Sequence, residues 1–316
     1  MNNPPPWIWK NGSWTRWQDA TVHISAHALH YGSSVFEGIR AYETENGTAV
    51  FRLREHLRRL LDSARLLRFD LAPYPLSALE EASVEIIRRN RLGACYLRPL
   101  VFRDAGGLRV DGRACPVTVA ILAFEWGAYL GPEALEHGVD AGVSSWRRFS
   151  SGSMAPMGKI GGQYVNNQFV SAEAQTHGYA EGILLDQAGL VSEGGGENLF
   201  LVRDDTIFTP PFQNSILAGI TRDTVLTLAA DLGMVVKEQS LNREMLYLAD
   251  EIFLTGTAAE ITPVRSVDRI PVGEGTRGPI TRRLQEAFFD VVSGRAEDRH
   301  HWLTPVPSPA LELVAT

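Results

Sequence analysis

Met154-Ala155-Pro156-Met157-Gly158-Lys159-Ile160-Gly161-Gly162-Gln163-Tyr164 sets a single amine among glycines and apolar residues. The chain has 30 lysines and arginines, yet only Lys10, Lys159 and Lys237 are lysines, so arginine already supplies the solubilising positive charge. Lysine does what arginine cannot. Its pKa falls on desolvation, and the neutral amine attacks carbonyls and forms Schiff bases. At this point a surface lysine in a flexible loop is the competing reading.

Outward from the lysine, the pattern is that of a mixed helix and strand protein. Val139 to Trp146 reads as a strand before it, and a helix from about Tyr164 to His177, closed by Gly178, follows it. Short strands come next at Gly182 to Asp186, Leu190 to Glu193, Asn198 to Arg203 and Thr206 to Thr209, with turns at 186–189 and 204–205. Gly219-Ile220-Thr221 opens a helix that buries Val225, Leu228, Ala229 and Leu232 and ends at Gly233. Free backbone N–H groups and a hydroxyl at a helix start make a phosphate seat, although an N-cap without a ligand has the same sequence. Gly256-Thr257, after the strand that begins at Glu251, repeats the idea and strengthens the case for a small anion site. Gly278 to Val292 is a last helix, and Asp298 onward is expected to be a loose tail.

In the N-terminal half, Asn11-Gly12 predicts a hairpin turn. If the second half of Ala28 to Tyr42 is a strand, Phe36, Gly38 and Arg40 share one face, which is either the wall of a site or a half-buried strand with a glycine bulge. Leu57, Leu60, Leu61, Ala64 and Leu67 recur at helical spacing over Arg54 to Phe69, and a second helix is expected over Leu76 to Asn90. The strand Ala94 to Phe102 puts Tyr96, Arg98, Leu100 and Phe102 on one side. A phenol and a guanidinium pointing together into apolar surroundings imply an anion or a buried network in its place. A glycine-rich loop over 104–116 and an apolar strand from Val117 to Trp126 follow. The turn-rich residues after Trp126 place the domain boundaries: an N-terminal domain over 1–127, a linker over 128–136 and a C-terminal domain over 137–316.

The bulk numbers exclude several classes. At 316 residues and 44% hydrophobic content the chain can bury a full core in two domains. A net charge of -7 argues against a nucleic-acid or anionic-membrane surface. Cys95 and Cys115 have neither metal-ligand nor disulfide-framework spacing, which predicts a reducing, cytoplasmic compartment. Neither an export leader nor an apolar run of membrane-spanning length is expected.

Together the residues ask for one ligand with an aldehyde for Lys159, a phosphate for Gly219-Ile220-Thr221 and Gly256-Thr257, and a group that wants the carboxylate of Glu193. Pyridoxal phosphate has those three handles. Over nearly its whole length the sequence resembles the branched-chain amino-acid aminotransferases of the fold-type IV pyridoxal-phosphate enzymes. The resemblance is carried by HALHYGSSVFEGIRAY at 27–42, YLRP at 96–99, FEWGAYLG at 124–131, GKIGGQY at 158–164, SEGGGENLF at 192–200, LAGITRD at 217–223 and GTAAEITPV at 256–264. It implies a two-domain fold like that of D-amino-acid aminotransferase, with a small N-terminal α/β domain and a larger, β-barrel-like C-terminal domain. It also implies that Lys159 is the Schiff-base lysine and proton shuttle, that Tyr164 lies near the cofactor's O3′, and that Glu193 is the partner of the pyridine nitrogen. Arg59, Ile220, Thr221 and Thr257 are then the phosphate ligands, with Gly219 and Gly256 opening their turns and Leu217 packing on the ring.

For substrate, the resemblance implies that Tyr96 and the backbone at Thr257 and Ala258 receive the α-carboxylate. Tyr31, Phe36, Trp126, Tyr129 and Tyr164 surround a leucine, isoleucine or valine side chain, beside Gly38 and Arg40, and Arg98 meets the second carboxylate of glutamate. Tyr31 and the loop near Leu108 are implied to come from the other subunit, so a homodimer is the minimum unit and a hexamer, as a trimer of dimers, a larger possibility. Arg109 departs from the apolar residue expected in that loop and raises the prospect of acidic or other polar substrates. The implied reaction is a reversible ping-pong exchange of the amino group with 2-oxoglutarate or a branched 2-oxo acid. D-amino-acid aminotransferases and aminodeoxychorismate lyases share the lysine and the glutamate and are the alternatives within the fold, with amine transaminases behind them. A catalytically silent relative would have lost Lys159 or Glu193, and an NAD enzyme is a poor fit because the sequence shows no strand-linked GxGxxG with a downstream acidic residue.

Overall fold

The computed structural model describes residues 4–126 and 131–307. The chain divides into two compact units. Met1–Trp126, Lys159–Gly162 and Asp290–Thr316 make the first, and Gly127–Gly158 and Gln163–Phe289 the second.

In the first unit, β1 (Trp7–Lys10) and β2 (Ser13–Arg16) form the expected hairpin, and Asn11 and Gly12 take the left-handed φ of 50° and 83° that its two-residue turn needs. Then come α1 (His27–Tyr31), β3 (Ser34–Phe36), β4 (Ile39–Thr44), β5 (Gly47–Phe51), α2 (Leu53–Leu66), α3 (Leu76–Asn90), β6 (Cys95–Arg103) and β7 (Val117–Phe124). Together with β17 (Leu303–Pro305) the strands build one antiparallel sheet in the order β17-β5-β4-β6-β7-β1-β2, with β3 also on β6. The helical stripes bury Leu53, Leu57, Leu60 and Ala64 from α2 and Leu79, Ala82, Ile86 and Ile87 from α3. Truncating a fully buried leucine of this kind to alanine costs roughly 2–5 kcal/mol. The spacing of α2 leaves Arg54, Arg58 and Arg65 in solvent, whereas Arg59 turns partly inward.

The second unit comprises α4 (Pro132–His137), β8 (Val139–Arg147), α5 (Tyr164–Thr176), β9 (Glu181–Leu185), β10 (Val191–Gly194), β11 (Asn198–Arg203), β12 (Thr206–Thr209), α6 (Ile220–Asp231), β13 (Val235–Glu238), α7 (Met245–Leu248), β14 (Glu251–Gly256), β15 (Glu260–Val267) and β16 (Ile270–Pro271). α8 (Pro279–Val292) runs across the division in sequence. The sheet order is β10-β9-β8-β15-β14-β11-β12-β13, with β16 on β15. β8 is parallel to both β9 and β15, β12 is parallel to β13, and the other pairs are antiparallel. Ile183, Leu199, Leu201, Ile252, Leu254 and Val264 form one apolar cluster. On the neighbouring strands β11 and β14, Phe200 and Phe253 stack at 5.0 Å.

Three expectations change. The segment over Phe36 to Arg40 is interrupted at Glu37-Gly38, because Pro99 on the facing strand has no N–H and only the Glu37 N–H to Pro99 carbonyl bond of that pair forms. The register on β6 is nevertheless the same on both sides of the break, so Phe36, Gly38 and Arg40 still share a face. The described part of the expected linker includes helix α4, packed on β15. The expected loose tail is ordered through residue 307: Trp302 is buried, stands edge-on to Phe51 at 5.8 Å, and accepts the Arg52 N–H at its carbonyl, while β17 pairs with β5. That pairing joins residues about 250 apart in sequence, beyond the reach of any local pattern.

Candidate active site

The shared face of β3, β4 and β6 gathers Phe36, Gly38, Arg40, Tyr96 and Arg98. The Arg98 guanidinium lies 4.8 Å over the Phe36 ring, and its Nη2 donates to the Tyr96 hydroxyl at 3.3 Å. Arg98 Nε is buried without a hydrogen-bond partner among the described residues. A buried donor of this kind asks for an acceptor from outside the fold. A Cβ at Gly38 would stand 1.8 Å from the Tyr96 hydroxyl, so only glycine lets that phenol lie across the strand. Trp126 packs at 5.2 Å from Tyr96, and the Arg40 guanidinium lies 5.2 Å from the Tyr42 ring. Tyr31 and Leu108 are exposed and joined by a 2.8 Å bond from the tyrosine hydroxyl to the leucine carbonyl. Tyr129 lies outside the described residues.

Lys159 stands on a segment pinned through its main chain. Its N–H donates to Ser63 Oγ at 3.0 Å, its carbonyl accepts the Phe36 N–H at 3.1 Å, and Ile160 bridges to Val35. The glycines after it are needed for close approach. A Cβ at Gly161 would lie 2.2 Å from Ser34 Oγ, and Gly162 donates to the Gly32 carbonyl at 3.1 Å. The ammonium lies 5.1 Å from the Phe36 ring.

Arg59 is held by a residue that sequence reasoning missed. Glu37 is fully buried, and its two oxygens accept from Arg59 Nε at 2.7 Å and Nη2 at 2.8 Å, while His56 Nδ1 lies 2.8 Å from Oε2. Burial alone raises the Glu37 pKa, but the Arg59 charge and the hydrogen bonds of His56 and Arg59 outweigh it and hold the carboxyl far below its usual range. Burial lowers His56, helped by the positive charges of Arg59 and Lys159 and opposed by Glu37, so the ring is neutral and donates through Nδ1. The available signal was the His56 and Arg59 spacing of three on α2, which places both on one helix face.

In the second unit, Glu193 on β10 is buried and engaged at both oxygens. Arg148 Nη2 pairs with Oε1 at 2.8 Å, and Oε2 accepts the Leu217 N–H at 2.8 Å and Asn198 Nδ2 at 3.3 Å. Asn198 also donates to the Leu217 carbonyl at 3.0 Å, which ties β11 to the segment before α6. Gly219 is the N-cap of α6, and a Cβ there would fall 1.8 Å from Asn198 Oδ1. Ile220 and Thr221 are buried in the first turn of α6, where unpaired N–H groups and the helix dipole favour an anion. Gly256 ends β14, and Thr257 and Ala258 follow half-buried. Just before them, the buried Thr255 Oγ1 has no hydrogen-bond partner among the described residues. Tyr164 is the half-buried first residue of α5. Arg148 and Asn198 carry no sequence signal, since an arginine or asparagine beside strands is usually solvated.

The amino-transferase class IV family model matches residues 34–267. The chain is 54% identical to the branched-chain-amino-acid aminotransferase of Salmonella typhimurium over 303 residues, 96% of this chain and 98% of that protein. It superimposes on the crystal structure of the Escherichia coli branched-chain amino acid aminotransferase with a TM-score of 0.94 at 53% identity, covering 96% of this chain and all of that one. The branched-chain amino acid aminotransferase of Thermobaculum terrenum, solved in its PLP-form, gives a TM-score of 0.90 at 35% identity, over 96% of this chain and 99% of that one. The chain belongs to the class IV aminotransferases of fold type IV and, within them, to the branched-chain-amino-acid aminotransferase family.

Proposed function

We propose that this chain transfers the amino group reversibly between L-leucine, L-isoleucine or L-valine and 2-oxoglutarate, with pyridoxal phosphate as cofactor. The observation that carries this reading is end-to-end similarity to enzymes of that name, at 54% identity over 96% of the chain. The donors of each unit, taken by itself, fit the cofactor. The N-terminus of α6, the orphaned Thr255 hydroxyl before Gly256-Thr257 and the Arg59 guanidinium suit a phosphate, and the buried Glu193 suits a protonated ring nitrogen.

When bound, pyridoxal phosphate supplies a carbonyl carbon that takes the amine and a ring that accepts the electron pair left at the substrate's α-carbon. Every other task falls to side chains of this protein. Lys159 Nζ takes the α-proton from the amino acid and returns it in the next step. Glu193 holds the ring nitrogen's proton, Tyr164 hydrogen-bonds the cofactor's phenolic oxygen, and Leu217 packs on the ring face. Arg59, Gly219, Ile220, Thr221, Gly256 and Thr257 hold the phosphate. Tyr96, with the Thr257 and Ala258 backbone, binds the α-carboxylate, and Arg98 Nε receives the side-chain carboxylate of glutamate. Phe36 and Trp126, beside Gly38 and Arg40, form an apolar wall that excludes water and selects branched side chains. Residues 1–127 serve as the N-terminal domain, with which 159–162 and 290–316 are grouped, and the rest of 137–316 serves as the cofactor domain.

The working assembly is at least a homodimer, in which Tyr31 and the Leu108 loop reach the partner's site. Ile24 at 79% and Val110 at 80% exposure, with Leu29, Tyr31 and Leu108, form apolar surface that a second copy would cover. Among the described residues no helix is long and apolar enough to cross a membrane, and two free buried cysteines suit a cytoplasmic setting.

The test is the visible absorption of the purified protein. We expect a cofactor band that L-leucine bleaches and 2-oxoglutarate restores. A band that answers only to D-alanine would move the assignment to D-amino acids, and no band after added pyridoxal phosphate would end it.

A further inference from the structure

The second unit buries two more carboxyls beside the turn that follows Glu193. Glu181 on β9 and Glu197 after β10 are 5% and 6% exposed, and their carboxyl groups meet within hydrogen-bonding reach at the glycine turn. Two ionised carboxylates this close repel and have no hydrogen to share, so the contact calls for one of the pair to be an acid. Burial pushes Glu197 well above the usual carboxylate range, and the negative charges of Glu181 and Glu193 add to the rise. Glu181 is raised by burial as well, but N–H bonds from Gly182 and Gly195 and the bond from Glu197 oppose the rise. Both are raised, Glu197 the further of the two, so Glu197 is the member that holds the shared hydrogen.

The two carboxyls also shape the turn. Gly182 N–H donates to Glu181 Oε1 at 2.8 Å, Gly196 N–H donates to Glu197 Oε2 at 3.0 Å, and Gly194 N–H donates to the Glu197 carbonyl at 2.7 Å. A Cβ at Gly195 would stand 2.5 Å from Glu181 Oε1, and one at Gly194 would stand 2.8 Å from Glu197 Oε2. The glycine run after Glu193 is therefore the mould of these carboxyls. Asn167 completes the network, donating to the Gly195 carbonyl at 2.5 Å and accepting from Arg148 Nη1 at 3.2 Å.

Charge bookkeeping gives the turn a second role. Arg148 on Glu193 makes a neutral pair, and a neutral pair is a weak holder of a further positive charge. The shared-proton pair beside it carries one negative charge in the same low-dielectric surroundings. The titratable groups gathered here are Glu181, Glu193 and Glu197, with Arg148 paired to Glu193. We propose that Glu181 and Glu197, joined through one hydrogen, are positioning residues for Glu193: they fix its turn and restore the net negative charge that Arg148 cancels. The inference rests on Glu193 being the partner of the cofactor's pyridine nitrogen.

The experiment follows the ring nitrogen in holoenzyme reconstituted with pyridoxal phosphate carrying 15N in the ring, and the carboxyl infrared band of the apoprotein. Glu197→Gln keeps both the donor to Glu181 and the pair's negative charge, so the 15N resonance should stay at its protonated position. Glu181→Gln with Glu197→Gln keeps the shape and removes the charge, so the ring nitrogen's apparent pKa should fall by about one unit or more, a tenfold shift in its protonation. In the apoprotein a deuterium-sensitive protonated-carboxyl band should be present in the wild type and absent in Glu197→Gln, and this arm decides the shared proton even if the double variant fails to fold. A band untouched by Glu197→Gln overturns the inference. So does a double variant whose ring nitrogen titrates like the wild type's while that of Glu193→Gln shifts, an outcome that leaves the Glu193 assignment standing. If Glu193→Gln itself leaves the ring nitrogen unmoved, the assignment falls and the inference with it.

Discussion

Lys159 and Glu193 are anchored in opposite ways. Lys159 is fixed through its peptide groups, by Ser63 on one side and Phe36 on the other. Glu193 is fixed through its side chain, with Arg148, Leu217 and Asn198 on its two oxygens. The difference matches the tasks proposed for them. A group that carries a proton between two positions needs a backbone held in place beneath it, whereas a group whose charge has to persist needs its charged atoms locked.

The comparison breaks most visibly at the lysine. Lys159→Ala should lower transamination by about 10²–10⁴-fold through loss of the proton transfer alone. The bonds that pin the segment belong to the main chain, so the denaturation midpoint should stay near that of the wild type. Steady-state rates and urea melts on the same preparation check both halves, and a variant that loses its fold would show the side chain to be structural instead. At Glu193 the pattern should reverse. Glu193→Ala strands a buried guanidinium, and an unpaired buried charge costs about 3–5 kcal/mol. Its urea midpoint should drop well below that of Lys159→Ala, and equal midpoints would remove the distinction.

The same contrast explains what the sequence discloses. Lys159, Glu193, Gly219 and Gly256 are legible because their chemistry requires rare residue types in fixed local order, a lysine in an arginine-rich chain and glycines where backbone or side chain approaches closely. Helix α3 is readable to the residue, since Pro75 starts it and its apolar stripe is regular. Glu37 is not. Its partners stand 19 and 22 residues away on α2, and only the docking of a helix on a strand brings them together. Glu181 and Glu197 are hidden for the same reason, because an acidic residue at a strand start or after glycines is ordinarily a solvated turn residue.

Glu37 sharpens the comparison from within the first unit, because it too is anchored by its side chain, in this case by an arginine fork and a histidine. Its folded pKa lies below the ordinary glutamate value of 4.5, so its contribution to stability is present above that value and is lost as pH falls toward the folded pKa. Glu37→Gln removes the charge but keeps the shape, so its stability deficit relative to the wild type should be constant from pH 7 down to about pH 5. Below that the deficit should shrink by up to about 1.4 kcal/mol for each pH unit, because the wild type is losing what the variant never had. Urea midpoints of the two proteins at pH 7, 5, 4 and 3 measure this. Converging midpoints would establish Glu37 as an ionised, charge-locked anchor for Arg59. A gap that holds constant to pH 3 would mean that Glu37 acts through shape and neutral hydrogen bonds, as the main-chain anchors of Lys159 do.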